Sequence, residues 1–178
     1  MQMCNVRSVI KSFLILVLLS SCAPDFNWRE FKFGDDELTF LMPCKPEQAS
    51  KEVMIGEQKE LLVMVACNVG EVNFTISRLP KPKGIESEQM LELWQRGSLY
   101  ALTGSDKMAD STPKKIQFKI SKNEVWGQEM SSNKSVKAHW RWFEQGTWVY
   151  QLGIYDPKTS SKVDLNKDLE QMFFDSIQ

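Results

Sequence analysis

Val136-Lys137-Ala138-His139-Trp140-Arg141-Trp142-Phe143, the link Glu144-Gln145-Gly146-Thr147, and Trp148-Val149-Tyr150-Gln151-Leu152-Gly153-Ile154-Tyr155 form the stretch on which the rest of this chain depends. In the first run Val136, Ala138, Trp140 and Trp142 alternate with Lys137, His139 and Arg141, and in the second Trp148, Tyr150, Leu152 and Ile154 fall on one face. Successive side chains of a strand point to opposite faces, so the pattern predicts a β-hairpin carrying a wall of aromatics on one side. Gly146 supplies the left-handed backbone that short, bulged hairpin connections demand. Such a wall needs a covering layer. The expected cover is a closing helix that meets Trp140, Trp142, Trp148 and Tyr150 through Leu169, Met172 and Phe173.

Outward from the hairpin the period of two continues. Leu38, Phe40 and Met42 mark one strand, and Val53 and Ile55 lead into a turn at Gly56-Glu57. The run Leu61–Cys67 is apolar on both faces and reads as a central strand. With Val72, Phe74 and Ile76 it makes a second hairpin, turning at Val69-Gly70-Glu71. Pro80-Lys81-Pro82-Lys83-Gly84 is a connection, because proline is not tolerated inside a strand. From Ser87, the expected N-cap, Met90, Leu93, Trp94, Gly97 and Ala101 recur at helical spacing. Gly97 weakens that helix by about 1 kcal/mol relative to Ala, or marks close approach to the sheet. Lys107–Lys114 is a polar loop, Ile116, Phe118 and Ile120 form a strand, and Val125–Met130 another. Asp164 is the expected cap of the closing helix, whose stripe is Leu165, Leu169, Met172, Phe173 and Ile177. Strands outnumber helices, so the class is α+β with a mainly antiparallel sheet.

The first 21 residues are an address. Arg7 and Lys11 precede the unbroken apolar run Phe13–Leu19, which is far shorter than the ~20 residues needed to span a bilayer. Leu19-Ser20-Ser21-Cys22 resembles the lipobox of bacterial lipoproteins, which implies that residues 1–21 are removed and that Cys22 carries the lipid anchor. Residues 22–27 are then a lipidated tether and 28–178 a single domain. The implied location is the bacterial cell envelope, facing the periplasm, and Ala23 after the cysteine favours the outer membrane. Loss of Arg7 and Lys11 leaves 20 basic residues against 23 acidic, a net of −3, which excludes a nucleic-acid binder on charge grounds.

Processing also removes Cys4 and occupies Cys22, so Cys44 and Cys67 remain. Both lie at expected strand ends in an oxidising compartment, where a structural disulfide forms readily. The alternative is two unpaired buried cysteines. A redox pair is disfavoured because no CxxC spacing occurs.

Glu37-Leu38-Thr39-Phe40-Leu41-Met42-Pro43-Cys44-Lys45-Pro46, the middle helix, the aromatic hairpin and Phe173-Phe174-Asp175-Ser176-Ile177 together resemble small bacterial lipoproteins related to the PsbP and Mog proteins. The resemblance covers nearly all of the mature chain and implies an α/β/α sandwich around an antiparallel sheet. Cys44 stands where that family more often has glycine. A variant of the pattern with Pro-Cys-x-Pro and a second downstream cysteine supports a Cys44–Cys67 bond. The resemblance implies no chemistry, since PsbP assists a photosystem and Mog binds a small GTPase.

No catalytic pattern emerges from the residues themselves. The single histidine, His139, has Lys137 and Arg141 as same-face neighbours and no nearby carboxylate in sequence to orient it, so no metal site or hydrolase triad is expected there. Gly104-Ser105-Asp106 lacks the GxSxG pattern, and P-loop, GxGxxG and HExxH motifs are absent. Asp35-Asp36 reads as a turn, and Lys81, Lys83, Lys114 and Lys115 as solvated loop charge. Trp28, Phe31 and Phe33 are either an edge strand of the core or an exposed aromatic patch. No cofactor or metal is expected. The function class that remains is a non-catalytic binding or accessory lipoprotein, its partners the membrane, through the lipid, and another envelope protein. The alternatives are an envelope enzyme with a dispersed site and a small-ligand carrier, the latter signalled by a dry cavity behind Trp140, Trp142 and Trp148.

Overall fold

Alternating apolar positions fold into nine strands and two helices among the residues that the computed structural model describes: 26–34, 38–104, 113–120, 123–133, 136–157 and 166–178. In chain order these are β1 (Arg29–Lys32), β2 (Thr39–Met42), β3 (Glu47–Ile55), β4 (Gln58–Val69), β5 (Val72–Pro80), α1 (Ser87–Thr103), β6 (Lys114–Ile120), β7 (Asn123–Asn133), β8 (Val136–Gln145), β9 (Trp148–Pro157) and α2 (Lys167–Phe174). Seven strands form one antiparallel sheet in the order β3-β4-β5-β9-β8-β7-β6, while β1 and β2 make a separate two-stranded ribbon. Helix α1 covers one face. The ribbon and α2 cover the other, giving the α/β/α layering of an α+β domain.

The opening hairpin forms, but its two strands do not share the expected face. Trp140 pairs with Gly153, Trp142 with Gln151, and Gln145 with Trp148, so only Gly146 and Thr147 are left in the turn. With a two-residue turn, even positions of β8 meet odd positions of β9. Trp140 and Trp142 therefore pack under α1 with Met90, Trp94 and Val149, while Tyr150, Leu152 and Ile154 pack on the opposite side with Phe173 and Phe174. A common face for Trp140, Trp142, Trp148 and Tyr150 requires an odd number of residues between the paired strand ends, as a bulge provides; the turn here is even and unbulged, which offsets β9 by one residue from that expectation and inverts every side chain on it. Gly146, at φ 61°, does adopt the left-handed conformation. Gly153 is needed for a different reason: a Cβ there would lie 2.8 Å from Thr75 Oγ1 and 3.1 Å from Trp140 Cδ1, so the Trp140 ring seats directly on the bare backbone of β9.

Four further expectations change. Leu61–Cys67 belongs to β4, one strand in from the edge, and Leu61 is 51% exposed; β9 is the central strand. Ser87 is not the N-cap of α1; Glu86 holds that place without a side-chain cap, and the Ser87 hydroxyl accepts from Lys81 Nζ at 2.8 Å. Asn166 caps α2, its side chain accepting from the Leu169 backbone N–H at 2.9 Å; Asp164 and Leu165 lie outside the described residues. Met172 is 47% exposed, and α2 seats through Phe173 and Phe174, followed by Ile177. The residues after α2 are stitched to β2, with paired backbone hydrogen bonds of 2.9 Å between Thr39 and Gln178 and a 3.1 Å bond from the Leu41 N–H to Ser176 Oγ.

Cys44 and Cys67 are bonded, joining the segment after β2 to β4 across a sequence separation of 23. Phe31 and Phe33 sit in the ribbon and its exit, where Phe33 is buried against Phe40 and Tyr150. Trp28 stacks with Phe26 and is half-buried against the same core. These aromatics thus form an accessory layer rather than an edge strand of the main sheet.

Candidate ligand groove

Two features of the molecule bring chemistry-bearing residues together. The first is a ladder of charges between the sheet and α2. His139 Nδ1 donates to Glu170 Oε2 at 3.3 Å, and Nε2 stands 3.3 Å from Glu129 Oε1 without a hydrogen bond. Arg141 donates from Nε to Glu129 Oε2 at 2.7 Å and from Nη1 to Asp175 Oδ1 at 2.8 Å, and Lys137 pairs with Glu170 at 3.3 Å. Both His139 and Arg141 lie against the Phe174 ring. The sequence placed no carboxylate near His139; β7 and α2 supply two, from residues 10 and 31 positions away. The ladder holds α2 on the sheet. Among the described residues, no group of three or more His, Cys, Asp and Glu side chains is placed to hold a metal ion.

The second feature is a groove of about 400 Å³ beside α1. Its floor comes from Lys51, Val53 and Ile55 of β3, Leu62 and Met64 of β4, Ser77 and Leu79 of β5, and Gln151 and Tyr155 of β9. The wall is the α1 stripe Leu93, Gly97 and Ala101, with Trp94, Ser98 and Leu102 beside it. The sequence assigned this stripe to the core. Instead the buried face of α1 is Met90, Leu91, Trp94, Gln95 and Leu99, a rotation that leaves Gly97 and Ala101 exposed. Gly97 is not there for close packing, because a Cβ built on it meets nothing within 4 Å. The helix thus carries a residue that costs about 1 kcal/mol where only the open groove lies beside it.

Polar groups collect at the inner end. Ser77 and Gln151 are Cα partners on adjacent strands, both buried, and Gln151 Nε2 donates to Ser98 Oγ at 2.7 Å. Tyr155 Oη accepts from Trp140 Nε1 at 2.9 Å; burial pushes its phenol pKa up against the lowering effect of the Trp140 and Thr75 hydrogen bonds, so it stays a neutral hydroxyl. Trp140 and Trp142, the expected front of a dry cavity, are fully buried against α1 and the sheet, and Trp148 lies on the other face. The groove opens on the other flank of α1.

The remaining expected residues are placed as follows. Lys81 pairs with Glu144 at 2.6 Å, and Lys114 and Lys115 are exposed. Cys22, Asp35, Asp36, Ser105 and Asp106, together with residues 1–21 and most of the Lys107–Lys114 loop, lie outside the described residues. Among the described residues no helix is long and apolar enough to cross a membrane.

No family model matches the sequence, and no curated protein matches it. Among solved structures, the chain is similar to the solution structure of cyanobacterial PsbP (CyanoP) from Synechocystis sp. PCC 6803, with a TM-score of 0.50 and 11% identity over 90% of this chain and 98% of that one. At that identity the likeness concerns architecture alone, and the architecture of this chain is that of a PsbP-like α+β domain.

Proposed function

We propose that this protein is a non-catalytic binding module of the bacterial cell envelope, held by a lipid on Cys22 and facing the periplasm, with the α1 groove as its binding surface. One observation carries the reading: the Leu93–Gly97–Ala101 stripe repeats with core periodicity, yet Leu93 is only half-buried and Gly97 and Ala101 stand exposed beside a half-buried apolar floor of Val53, Leu62 and Met64. Partly covered apolar surface facing an open concavity is the usual character of a binding site. Phe26, within the expected tether at residues 22–27, packs its ring edge-on against Phe74 near the Gly70-Glu71 turn, whereas Val53, Ile55, Leu62 and Leu79 lie toward the opposite ends of their strands. A tether leaving at Phe26 would hold that end of the groove away from the membrane.

The test is made in the host. Cys22→Ala should block palmitate incorporation and cleavage before residue 22; processing and labelling that persist would overturn the anchor. Gly97→Leu fills the groove from a position with free space and should keep the melting temperature while reproducing the deletion phenotype. A Gly97→Leu strain indistinguishable from wild type would remove the groove from the function.

A further inference from the structure

Resting on the reading of the groove as the binding surface, we propose that its occupant is an uncharged, single-chain amphipath: an aliphatic chain of about ten carbons ending in a hydroxyl, amide or ester head. Size is the first argument. A methylene displaces a volume on the order of that of a water molecule, about 30 Å³, so about 400 Å³ accommodates roughly a dozen heavy atoms. A helix, about 10–12 Å across with its side chains, does not fit such a space. One extended chain does, lying along Leu93, Gly97 and Ala101 and against Val53, Leu62 and Met64.

The second argument is charge. Among the lining residues no carboxylate, guanidinium or histidine occurs, and the only ionic group is Lys51, exposed on the edge strand β3. A charged head carried to the inner end would lose its hydration without a counter-charge, a large penalty. What the inner end does provide is neutral hydrogen-bonding capacity. Gln151 Nε2 is engaged by Ser98 Oγ, leaving Gln151 Oε1 as an acceptor and the Ser98 hydroxyl proton as a donor with no other partner among the described residues. An alcohol or amide head satisfies both at once, and an ester carbonyl takes the Ser98 proton. Gly97 is the third argument, since any side chain there would enter the path of the chain.

The test uses the full-length protein held in an amphipathic polymer and two photo-crosslinking probes, decyl chains bearing a diazirine, one ending in a hydroxyl and the other in a carboxylate. The hydroxyl probe should label peptides containing residues 51–64 and 93–102 saturably, with the carboxylate probe at least about tenfold weaker at neutral pH, a factor of the size expected for one buried polar mismatch. Gly97→Leu should abolish the labelling, and Gln151→Leu should weaken it by about tenfold, as for the loss of one hydrogen bond to a buried head. Equal labelling by the two probes, or labelling that survives Gly97→Leu, overturns the proposal. If neither probe labels the groove while Gly97→Leu still gives the deletion phenotype, the amphipath is wrong and the binding surface stands, with a protein segment as its occupant. If the phenotype is also absent, both readings fall.

Discussion

The two faces of the seven-stranded sheet are finished differently. On one, the β1–β2 ribbon, α2, a disulfide and the chain end are fastened to the sheet by aromatic packing, paired backbone hydrogen bonds and a run of ion pairs. On the other, a single helix is seated through Met90, Leu91, Trp94 and Leu99, with Leu93 and Leu102 half-buried and Gly97 and Ala101 exposed beside the open floor. The first face carries covalent, backbone and ionic attachments in addition to its packing, while the second keeps a costly glycine and a row of half-buried aliphatics. The covalent and ionic fastenings lie on one side of the sheet, and the open concavity lies on the other.

Substitutions can break that contrast. Phe173→Ala, at a fully buried position, should cost about 3–5 kcal/mol, whereas Leu93→Ala in the groove wall should cost under about 1 kcal/mol. Denaturant unfolding of the two variants measures the difference, and equal losses would erase the distinction between the faces. Next in size, replacing both Cys44 and Cys67 with Ala should remove about 3 kcal/mol, the loop-closure contribution for a separation of 23 residues. Labelling under denaturing, non-reducing conditions should find no free thiol at either position in exported protein, and quantitative alkylation there would contradict the bond. Arg141→Ala should cost about 1–3 kcal/mol by leaving Glu129 and Asp175 without their donor beneath α2, more than the ±0.5 kcal/mol of an ordinary surface site. A thermal shift within error would show the ladder to be ornamental. The smallest effect carries the opposite sign: Gly97→Ala should raise stability by up to about 1 kcal/mol, because α1 gains propensity and the new methyl meets nothing. A loss instead would mean that the groove is narrower than its geometry indicates.

Most strands were legible because alternation survives in them: Phe40 and Met42, Phe74 and Ile76, Trp140 and Trp142 all announce their pleat. Which face each pair serves was not legible, since that depends on whether the hairpin link holds an even or an odd number of residues, and Gly146 is compatible with both. The charge ladder was hidden because Glu129 and Glu170 reach His139 only through strand pairing and helix docking. For the groove, the single readable signal was Gly97 within an apolar helical stripe. Its absence of neighbours could only be seen once Met90, Leu91, Gln95 and Leu99 had been placed on the buried side. The groove floor draws on four strands, and no local pattern joins them.

The bond between Cys44 and Cys67 also has a mechanical consequence. A load applied to the chain ahead of Phe26 can peel β1 and β2 only as far as Cys44, where the covalent link passes it into β4. From there the force is shared by the neighbouring strands β3 and β5 through their ladders instead of being spent unzipping one strand at a time. A domain pulled by its N-terminus would thus yield at its ribbon and keep the shape of its main sheet.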